Sequence, residues 1–388
     1  MNKIRDNDNS EKRNSKITGS VAKKYVLPSL ILHALGDTIG FKNGEWEFYG
    51  MESKNITLDF INEMIYEFID LGGVNSIDLT DWKISDDTIF QYCVGRSMLV
   101  YKGELDENFI RQFKINLSTG IELTDKDYAN GIDRYVGKTT RESILDVLNA
   151  THDARYEEYN PKGGGNGCAM RNLVIGLCLY REEDLDQLID VSVVTSQLTH
   201  NNAIGYLGGF TTAYFASLAI QRVDPLEWPY RLLKLLKSDR LVKFVKKTIS
   251  QETRDYMDFI TSWERHLDNR FDKDHHLLEI KSFANPMYRI KYYYDHFIID
   301  TGESIIGGAG HLATIMAYDA FLDSGGVWEK LIVYGMLHTG DSDTIGAIAA
   351  GFFGAYYGFA DVPERMYEKL EMRKEIEGLS RELEKKYY

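Results

Sequence analysis

Apolar residues recur at helical spacing through most of this chain, and this periodicity is the feature that most restricts its fold. The C-terminal stretch shows it clearly, with charged residues between apolar positions four, three and four apart: Met372, Ile376, Leu379 and Leu383. Another apolar helix is expected to begin near Tyr25 and to end at Gly36. Only six prolines interrupt 388 residues, and strand-like alternation is scarce. The sequence therefore predicts an all-α protein.

The composition divides the chain into a tail and one domain. Residues 1–24 are rich in Asn, Asp, Lys, Arg and Ser and offer little to bury, so they are expected to form a disordered polar tail. Residues 25–388 contain no fixed-period repeat and no proline-rich linker, which favours a single compact domain. Within it, weak periodicity predicts loops near 118–165 and 265–308.

Charge and cysteine content exclude several classes of protein. The net charge of −14 disfavours a surface that wraps nucleic acid or binds an anionic membrane. The three cysteines have no metal-ligand spacing, which fits a reducing compartment: Cys93, Cys168 and Cys178. We find no signal peptide and no apolar run long enough to cross a membrane. A cytoplasmic protein with no nucleic-acid or membrane partner is expected.

Two short acidic motifs, about 250 residues apart, carry most of the chemistry. They are Ser85-Asp86-Asp87-Thr88 and Asp341-Ser342-Asp343-Thr344, and each opens an apolar helix. Their carboxylates and hydroxyls form an all-oxygen ligand set, which hard cations such as Mg²⁺, Mn²⁺ or Ca²⁺ prefer. Either motif alone is also typical of a helix N-cap. If the fold joins them, a metal enzyme is the better interpretation.

Two further features are less specific. The glycine run at 163–167 precedes Cys168 and, if it enters a helix, would offer backbone amides to an anion; a plain loop is the alternative. His200 follows Thr199, and a single histidine is more often a structural residue than a catalyst. The pattern matches neither a phosphate-binding loop with its lysine nor a zinc hydrolase.

Taken together and in order along the chain, these segments resemble the ADP-ribosylglycohydrolase family, and within it the ADP-ribosylarginine hydrolase branch. The resemblance covers nearly all of the chain after the tail. It rests on Gly36-Asp37-Thr38-Ile39-Gly40, Asn43-Gly44-Glu45-Trp46-Glu47-Phe48, Ser85-Asp86-Asp87-Thr88, Gly164-Gly165-Asn166-Gly167-Cys168-Ala169-Met170-Arg171, Thr199-His200, Gly205-Tyr206-Leu207-Gly208, Ala317-Tyr318-Asp319-Ala320 and Gly340-Asp341-Ser342-Asp343-Thr344. The segment at 43–48 indicates the arginine-type branch in particular.

The resemblance implies a compact all-α fold with a centre of two Mg²⁺ ions that chelates the ribose diol. The implied metal ligands are Ser85, Asp86, Asp87, Asp341, Asp343 and Thr344. Glu47 resembles a mobile acidic residue near the metals, and the implied catalytic residues are Asp86, Asp87, Asp343 and Glu47. The implied substrate-binding residues are Gly164, Gly165, Asn166, Gly167 and His200. The substrates would be ADP-ribosylated proteins, and a monomer is expected.

One position departs from the arginine branch. Leu312 stands in Gly310-His311-Leu312-Ala313-Thr314, where that branch carries an aspartate in Gly-His-Asp-Ala-Pro. Leucine cannot replace the charge of a carboxylate, so the substrate preference stays open. The alternatives are cleavage of serine-linked ADP-ribose, poly(ADP-ribose) or O-acetyl-ADP-ribose, and a catalytically silent protein that binds ADP-ribose.

Overall fold

The computed structural model describes residues 18–49, 59–149, 159–246, 249–298 and 305–388. Over these residues the chain forms α-helices and no β-strand; its β-structure consists of two isolated bridges, Gly165–Ala309 and Phe271–Leu277. The helices are α1 (Gly19–Ala22), α2 (Val26–Phe41), α3 (Asp59–Asp70), α4 (Gly73–Ser76), α5 (Asp86–Met98), α6 (Glu107–Ala129), α7 (Lys138–Asn149), α8 (Leu173–Cys178), α9 (Leu185–Gln197), α10 (Ala203–Ile220), α11 (Trp228–Leu236), α12 (Asp239–Val242), α13 (Ser250–Arg270), α14 (Pro286–Tyr293), α15 (Gly310–Ser324), α16 (Trp328–Gly335), α17 (Ser342–Tyr357) and α18 (Arg373–Tyr387). The all-α prediction is confirmed.

The centre of the fold is the pair formed by α2 and α17, which are buried over nearly their whole length. Their backbones touch because glycines face each other. A Cβ atom at Gly36 would lie 2.2 Å from the Gly346 carbonyl oxygen, and one at Gly40 would lie 2.2 Å from the Ser342 carbonyl oxygen. The glycine and alanine residues at the beginning of α17 allow this close approach. The contact places the C-terminal half of α2 against the beginning of α17.

Helix α10 is the second buried element, and it packs on α8, α9, α15 and α17. It is 18 residues long and apolar enough to cross a membrane by length and composition, so the statement that no such run exists was wrong. However, 94% of this window is buried inside the protein. It is therefore a core helix of this fold.

Several helix boundaries differ from the sequence prediction. Helix α2 continues past Gly36 to Phe41, because this glycine serves helix contact and does not end the helix. The stretch 118–165, predicted as loops, contains the end of α6 and all of α7, and 265–308 contains the end of α13 and all of α14. The prediction of loops was therefore wrong for these helical parts, each of which buries one face.

The start of the chain lies mostly outside the described residues. The disordered tail predicted for residues 1–24 stays a prediction for 1–17. Helical structure begins at Gly19, ahead of the predicted boundary at residue 25, and Ala22 is fully buried.

Candidate metal centre and active site

Asp37, in the C-terminal half of α2, connects the two acidic motifs. One carboxylate oxygen accepts the Ser85 N–H (2.9 Å), and the other accepts both the N–H (3.1 Å) and the hydroxyl of Thr88. At the same point on α2, the Gly40 carbonyl accepts the Ser342 hydroxyl (2.8 Å). Asp37 therefore holds the first turn of α5, while its helix holds the first turn of α17.

The first acidic motif forms the N-terminus of α5. Ser85 is the N-cap: its hydroxyl oxygen accepts the Asp87 N–H (3.2 Å), and its hydroxyl donates to Asp87 Oδ2 (3.1 Å). Asp86 donates its N–H to the Arg134 carbonyl (3.0 Å). Both aspartates are buried, so the predicted cap is real but does not explain why two adjacent carboxylates are withdrawn from solvent.

Arg134 anchors the segment that precedes α5. Its buried guanidinium donates to the Ile84 carbonyl (2.7 Å) and forms ion pairs with Glu371 (2.7 Å) and Asp127 (2.8 Å). Glu371 in turn accepts the Ile84 N–H (3.1 Å). The first motif is thus held from two sides, by Asp37 and by this buried ion-pair group.

The second acidic motif forms the N-terminus of α17. Asp341 accepts a hydrogen bond from the Asn166 side-chain amide (2.9 Å), and the Thr344 N–H donates to Asp343 (2.8 Å). The Thr344 hydroxyl lies near the carboxylates of both Asp87 and Asp341. The fold therefore joins the two motifs, which was the condition for interpreting them as one metal site.

Glu47 completes the acidic cluster from a third segment. The Phe48 N–H donates to the Gly340 carbonyl (2.9 Å), which fixes the turn that carries Glu47 beside the second motif. Glu47 is 8% exposed, and oxygens of Glu47, Asp341 and Asp343 lie within 4.8 Å of one another. Three carboxylates at this separation form a set that can hold a metal ion.

We define the carboxylate cluster as Asp37, Glu47, Asp86, Asp87, Asp341 and Asp343. All six are buried, and within the described residues none forms an ion pair with a Lys, Arg or His side chain. Buried Glu47 Oε2 and Asp87 Oδ1 also have no hydrogen-bond partner there. Buried polar atoms are normally paired, so unpartnered oxygens in a negative cluster fit the ligand positions of a cation.

Burial and mutual repulsion shift the titration of this cluster. Burial, followed by the charge of Asp37, raises the pKa of Asp86 and of Asp87 well above the usual range. Burial and the neighbouring carboxylates do the same to Glu47 and Asp343. Burial raises the pKa of Asp37 to about 6, although its hydrogen bonds oppose the shift. The arrangement of these carboxylates therefore disfavours their ionised forms, and a bound cation would relieve the repulsion between them.

The glycine run lies against the cluster but does not form a helix N-terminus. Residues 161–171 form turns on both sides of the isolated bridge at Gly165, and the next helix, α8, begins only at Leu173. The Gly310 N–H donates to the Gly164 carbonyl (3.0 Å), and the Asn166 N–H donates to the Gly308 carbonyl (3.0 Å). Of the two alternatives for this run, the structure therefore supports the plain loop, whose backbone pairs with 308–310.

Asn166 and His200 have contacts that the sequence did not reveal. The Asn166 amide group donates to Asp341 and to the Gly307 carbonyl (2.9 Å each), so in this structure it orients a carboxylate. A Cβ atom at Gly167 would lie 2.8 Å from the His200 ring, whose Nδ1 lies 2.9 Å from the Thr199 hydroxyl. Gly165 and Gly167 thus lie against His200, on either side of the Asn166 that contacts the cluster. The role of Gly164, Gly165, Asn166, Gly167 and His200 in substrate binding stays a prediction.

Leu312 does not face this site as an exposed side chain. It is fully buried in the hydrophobic core, in the first turn of α15. The leucine is therefore part of the core packing, and its consequence for substrate preference stays a prediction.

Sequence reasoning missed two residues that organise the site. The sequence did not predict a role for Asp37, because its hydrogen bonds run to residues 48 and 51 positions away. Arg134 lies in a segment without helical pattern. The available signal for Asp37 was an acidic residue between Gly36 and Gly40 in an otherwise apolar helix.

Comparison with known proteins agrees with this geometry. Residues 19–388 match the model of the ADP-ribosylglycohydrolase family. The chain is 34% identical to the putative ADP-ribosyl glycohydrolase L444 of Acanthamoeba polyphaga mimivirus, over 90% of this chain and 68% of that protein. It is 30% identical to ADP-ribosylhydrolase ARH1 of Dictyostelium discoideum, over 95% and 97% of the two chains. ADP-ribosylhydrolase ARH3 of Bos taurus is 24% identical over 77% of each chain.

A solved structure supports the fold independently. An ADP-ribosylglycohydrolase-related protein complex superposes with a TM-score of 0.55, covering 95% of this chain and all of that chain at 17% sequence identity. At this identity the likeness concerns the fold alone.

Proposed function

This chain belongs to the ADP-ribosylglycohydrolase family, whose members hydrolyse ADP-ribose conjugates, and from that premise we propose that it removes ADP-ribose from arginine side chains. The reaction would cleave the N-glycosidic bond between the ribose and the guanidinium group, reversing mono-ADP-ribosylation of proteins. The observation that carries this proposal is the carboxylate cluster, with its two unpartnered oxygens.

The residues of the cluster fit a divalent cation, and we propose a centre of two Mg²⁺ ions. Ser85, Asp86, Asp87, Asp341, Asp343 and Thr344 would hold it, since their oxygens come from the two motifs that the fold joins. When bound, the ions supply Lewis-acid charge for holding the ribose hydroxyls. Glu47 shares the cluster with Asp341 and Asp343 and would be an additional ligand or proton acceptor.

The carboxylates themselves suit the chemistry of the bond. Departure of the guanidine leaves positive charge on the ribose, and buried anionic side chains stabilise such charge in a medium of low dielectric constant. The unpartnered Oε2 of Glu47 is free to accept a proton from the attacking water, or to return one to the leaving nitrogen. The diphosphate and distal ribose would be held by the predicted substrate-binding residues Gly164, Gly165, Asn166, Gly167 and His200.

Support for the arginine linkage comes from the segment at 43–48. In the structure, Trp46 is buried and donates its indole N–H to Glu67 (2.8 Å), which fixes the turn that positions Glu47. This is the segment that resembles the arginine-type branch. The relative named ARH1 also aligns over nearly the whole of both chains.

The direct test is release of ADP-ribose from an arginine-ADP-ribosylated protein in the presence of Mg²⁺. Serine-linked, poly(ADP-ribose) and O-acetyl-ADP-ribose substrates would be assayed beside it at equal concentration. We expect the arginine conjugate to have the highest kcat/KM. A folded, metal-binding protein that prefers another conjugate would contradict the linkage, and calorimetric binding of ADP-ribose without any turnover would favour the silent binding protein.

We also propose that the protein acts as a monomer in the cytoplasm. Its three cysteines are free and buried, as in a reducing compartment. Light scattering of the purified protein and microscopy of a tagged copy would test the two statements.

A further inference from the structure

Tyr135 is an exposed aromatic residue in a segment that contacts the carboxylate cluster. It keeps 42% of its surface exposed, whereas its neighbour Arg134 is buried. The Arg134 carbonyl accepts the Asp86 N–H (3.0 Å), and the Gly137 N–H lies near the Asp86 carboxylate. The segment that carries Tyr135 therefore contacts Asp86 both before this residue, at Arg134, and after it, at Gly137.

The backbone of Tyr135 is strained. Its φ of 55° lies in the left-handed region, which a bulky L-residue rarely adopts. Two contacts hold it there: its N–H donates to Asp133 Oδ1 (2.9 Å), and Arg134 is fixed by its ion pairs with Glu371 and Asp127. Strain that the surrounding structure maintains is concentrated at ligand-binding sites.

The ring also contacts the turn that carries Glu47. It packs edge-on against Phe41 at a centroid distance of 5.3 Å, and its hydroxyl donates to the Gly44 carbonyl (3.4 Å). Burial and then the charge of Glu47 raise the pKa of Tyr135, which agrees with a position near that carboxylate. An exposed aromatic ring thus stands near Glu47 and Asp133, in a segment whose backbone contacts Asp86.

We propose that Tyr135 is the specificity-determining residue of the acceptor subsite, where its exposed ring stacks on the planar guanidinium of the arginine that leaves. The inference rests on the proposed function and deepens it by assigning the group that recognises the leaving side chain. Guanidinium ions stack on aromatic faces, and nearby carboxylates add a favourable potential. A serine hydroxyl has no charge, so the ring offers it no comparable gain.

The test compares two peptides of the same sequence, one carrying ADP-ribosylarginine and one carrying ADP-ribosylserine, with wild type, Tyr135→Ala and Tyr135→Phe. We expect Tyr135→Ala to lower the arginine-to-serine ratio of kcat/KM about tenfold, or about 1.4 kcal/mol, mainly through KM for the arginine peptide. Tyr135→Phe keeps the ring and should retain most of the ratio. Tyr128→Ala is the matched control, since Tyr128 is a 67% exposed tyrosine at the end of α6.

A calorimetric titration with ADP-ribose adds a readout that does not depend on turnover. ADP-ribose lacks the guanidinium, so its affinity should change far less in Tyr135→Ala than the arginine KM does. Equal losses on both peptides, or a Tyr135→Phe variant as impaired as Tyr135→Ala, would overturn the assignment while leaving the proposed function intact. A wild type with no activity on the arginine peptide would overturn the proposed function, and the assignment with it.

Discussion

Replacing Asp37 with asparagine tests how the site is held together. The two carboxylate oxygens of Asp37 accept the N–H groups of Ser85 and Thr88 and the Thr88 hydroxyl. Asparagine has the same size but only one acceptor oxygen, so its NH₂ group must face one of these donors. A buried donor left without an acceptor costs about 1–3 kcal/mol.

A second effect opposes this loss when no cation is bound. Because burial raises the pKa of Asp37 from 3.8 to about 6, its contribution to stability is present below pH 3.8 and is lost as the pH rises through 6. At neutral pH the ionised carboxylate therefore costs the metal-free protein about 3 kcal/mol, which the neutral amide avoids. The two effects nearly cancel, so metal-free stability should change by about 2 kcal/mol or less.

The cation-bound protein should respond differently. There the negative charge of Asp37 attracts the cation, and its hydrogen bonds orient the turn that bears Asp86 and Asp87. Losing such a supporting partner lowers metal affinity about 10- to 100-fold, or about 1.4–2.7 kcal/mol. Urea unfolding followed by circular dichroism, with saturating Mg²⁺ and with EDTA, should show the Mg²⁺-dependent stabilisation reduced by this amount. Calorimetric titration of Mg²⁺ gives the affinity directly.

The matched control is Ser29→Ala. Its hydroxyl donates to the Gly351 carbonyl (2.8 Å), so the variant loses one buried hydrogen bond between α2 and α17 away from the cluster. It should be destabilised by about 1 kcal/mol equally with Mg²⁺ and with EDTA. If Asp37→Asn binds Mg²⁺ as tightly as the wild type, Asp37 does not support the metal site and the reasoning fails.

Three other predictions follow from single contacts. Asp343→Ala should abolish turnover without unfolding the protein, and unchanged activity at saturating Mg²⁺ would contradict its assignment as a ligand. Gly36→Ala should lower the free energy of unfolding by about 3 kcal/mol because its Cβ would meet the α17 backbone. Gly378→Ala, whose Cβ would meet only the Arg381 side chain at 3.9 Å, should raise it by up to about 1 kcal/mol in the same urea titration. Burial lowers the pKa of His33 from 6.5 to about 4, so its contribution to stability is complete above pH 6.5 and is lost as the pH falls to 4. In a plot of unfolding free energy against pH, His33→Gln should therefore remove about 3 kcal/mol of the loss of stability in acid.

The oxygen-ligand set could be predicted because its physical signal is local. Two adjacent aspartates before an apolar helix repel each other unless something compensates them, and the same conflict recurred at Asp341 and Asp343. The structure confirms that the two motifs meet and that their carboxylates are buried. Which of these oxygens bind a cation stays a prediction.

The supporting contacts could not be predicted because they depend on tertiary distance. Asp37 reaches Ser85 across 48 residues, and Arg134 reaches Glu371 across 237. Gly36 was interpreted as a helix end because glycine is unfavourable inside helices. In the structure, this glycine lies inside a helix at the place where two helix backbones touch. A single sequence does not distinguish a glycine that ends a helix from one that lets a neighbouring helix approach.

Backbone strain in the described part of the chain is concentrated in the segments beside the carboxylate cluster. Eight non-glycine residues in the described part of the chain have positive φ, and four of them lie in the two segments that contact Glu47 and Asp86: Lys42, Asn43, Phe48 and Tyr135. This conformation costs about 1–2 kcal/mol each at Lys42, Phe48 and Tyr135, whereas asparagine adopts it more readily. The cluster adds its own repulsion, so this end of the molecule opposes folding, while the tight contact between α2 and α17 and the buried α10 favour it. A ligand that relieves the repulsion should therefore stabilise the whole domain, so metal binding is coupled to folding. For this reason, the effect of a substitution at Asp37 is best measured as the difference between cation-bound and cation-free stability.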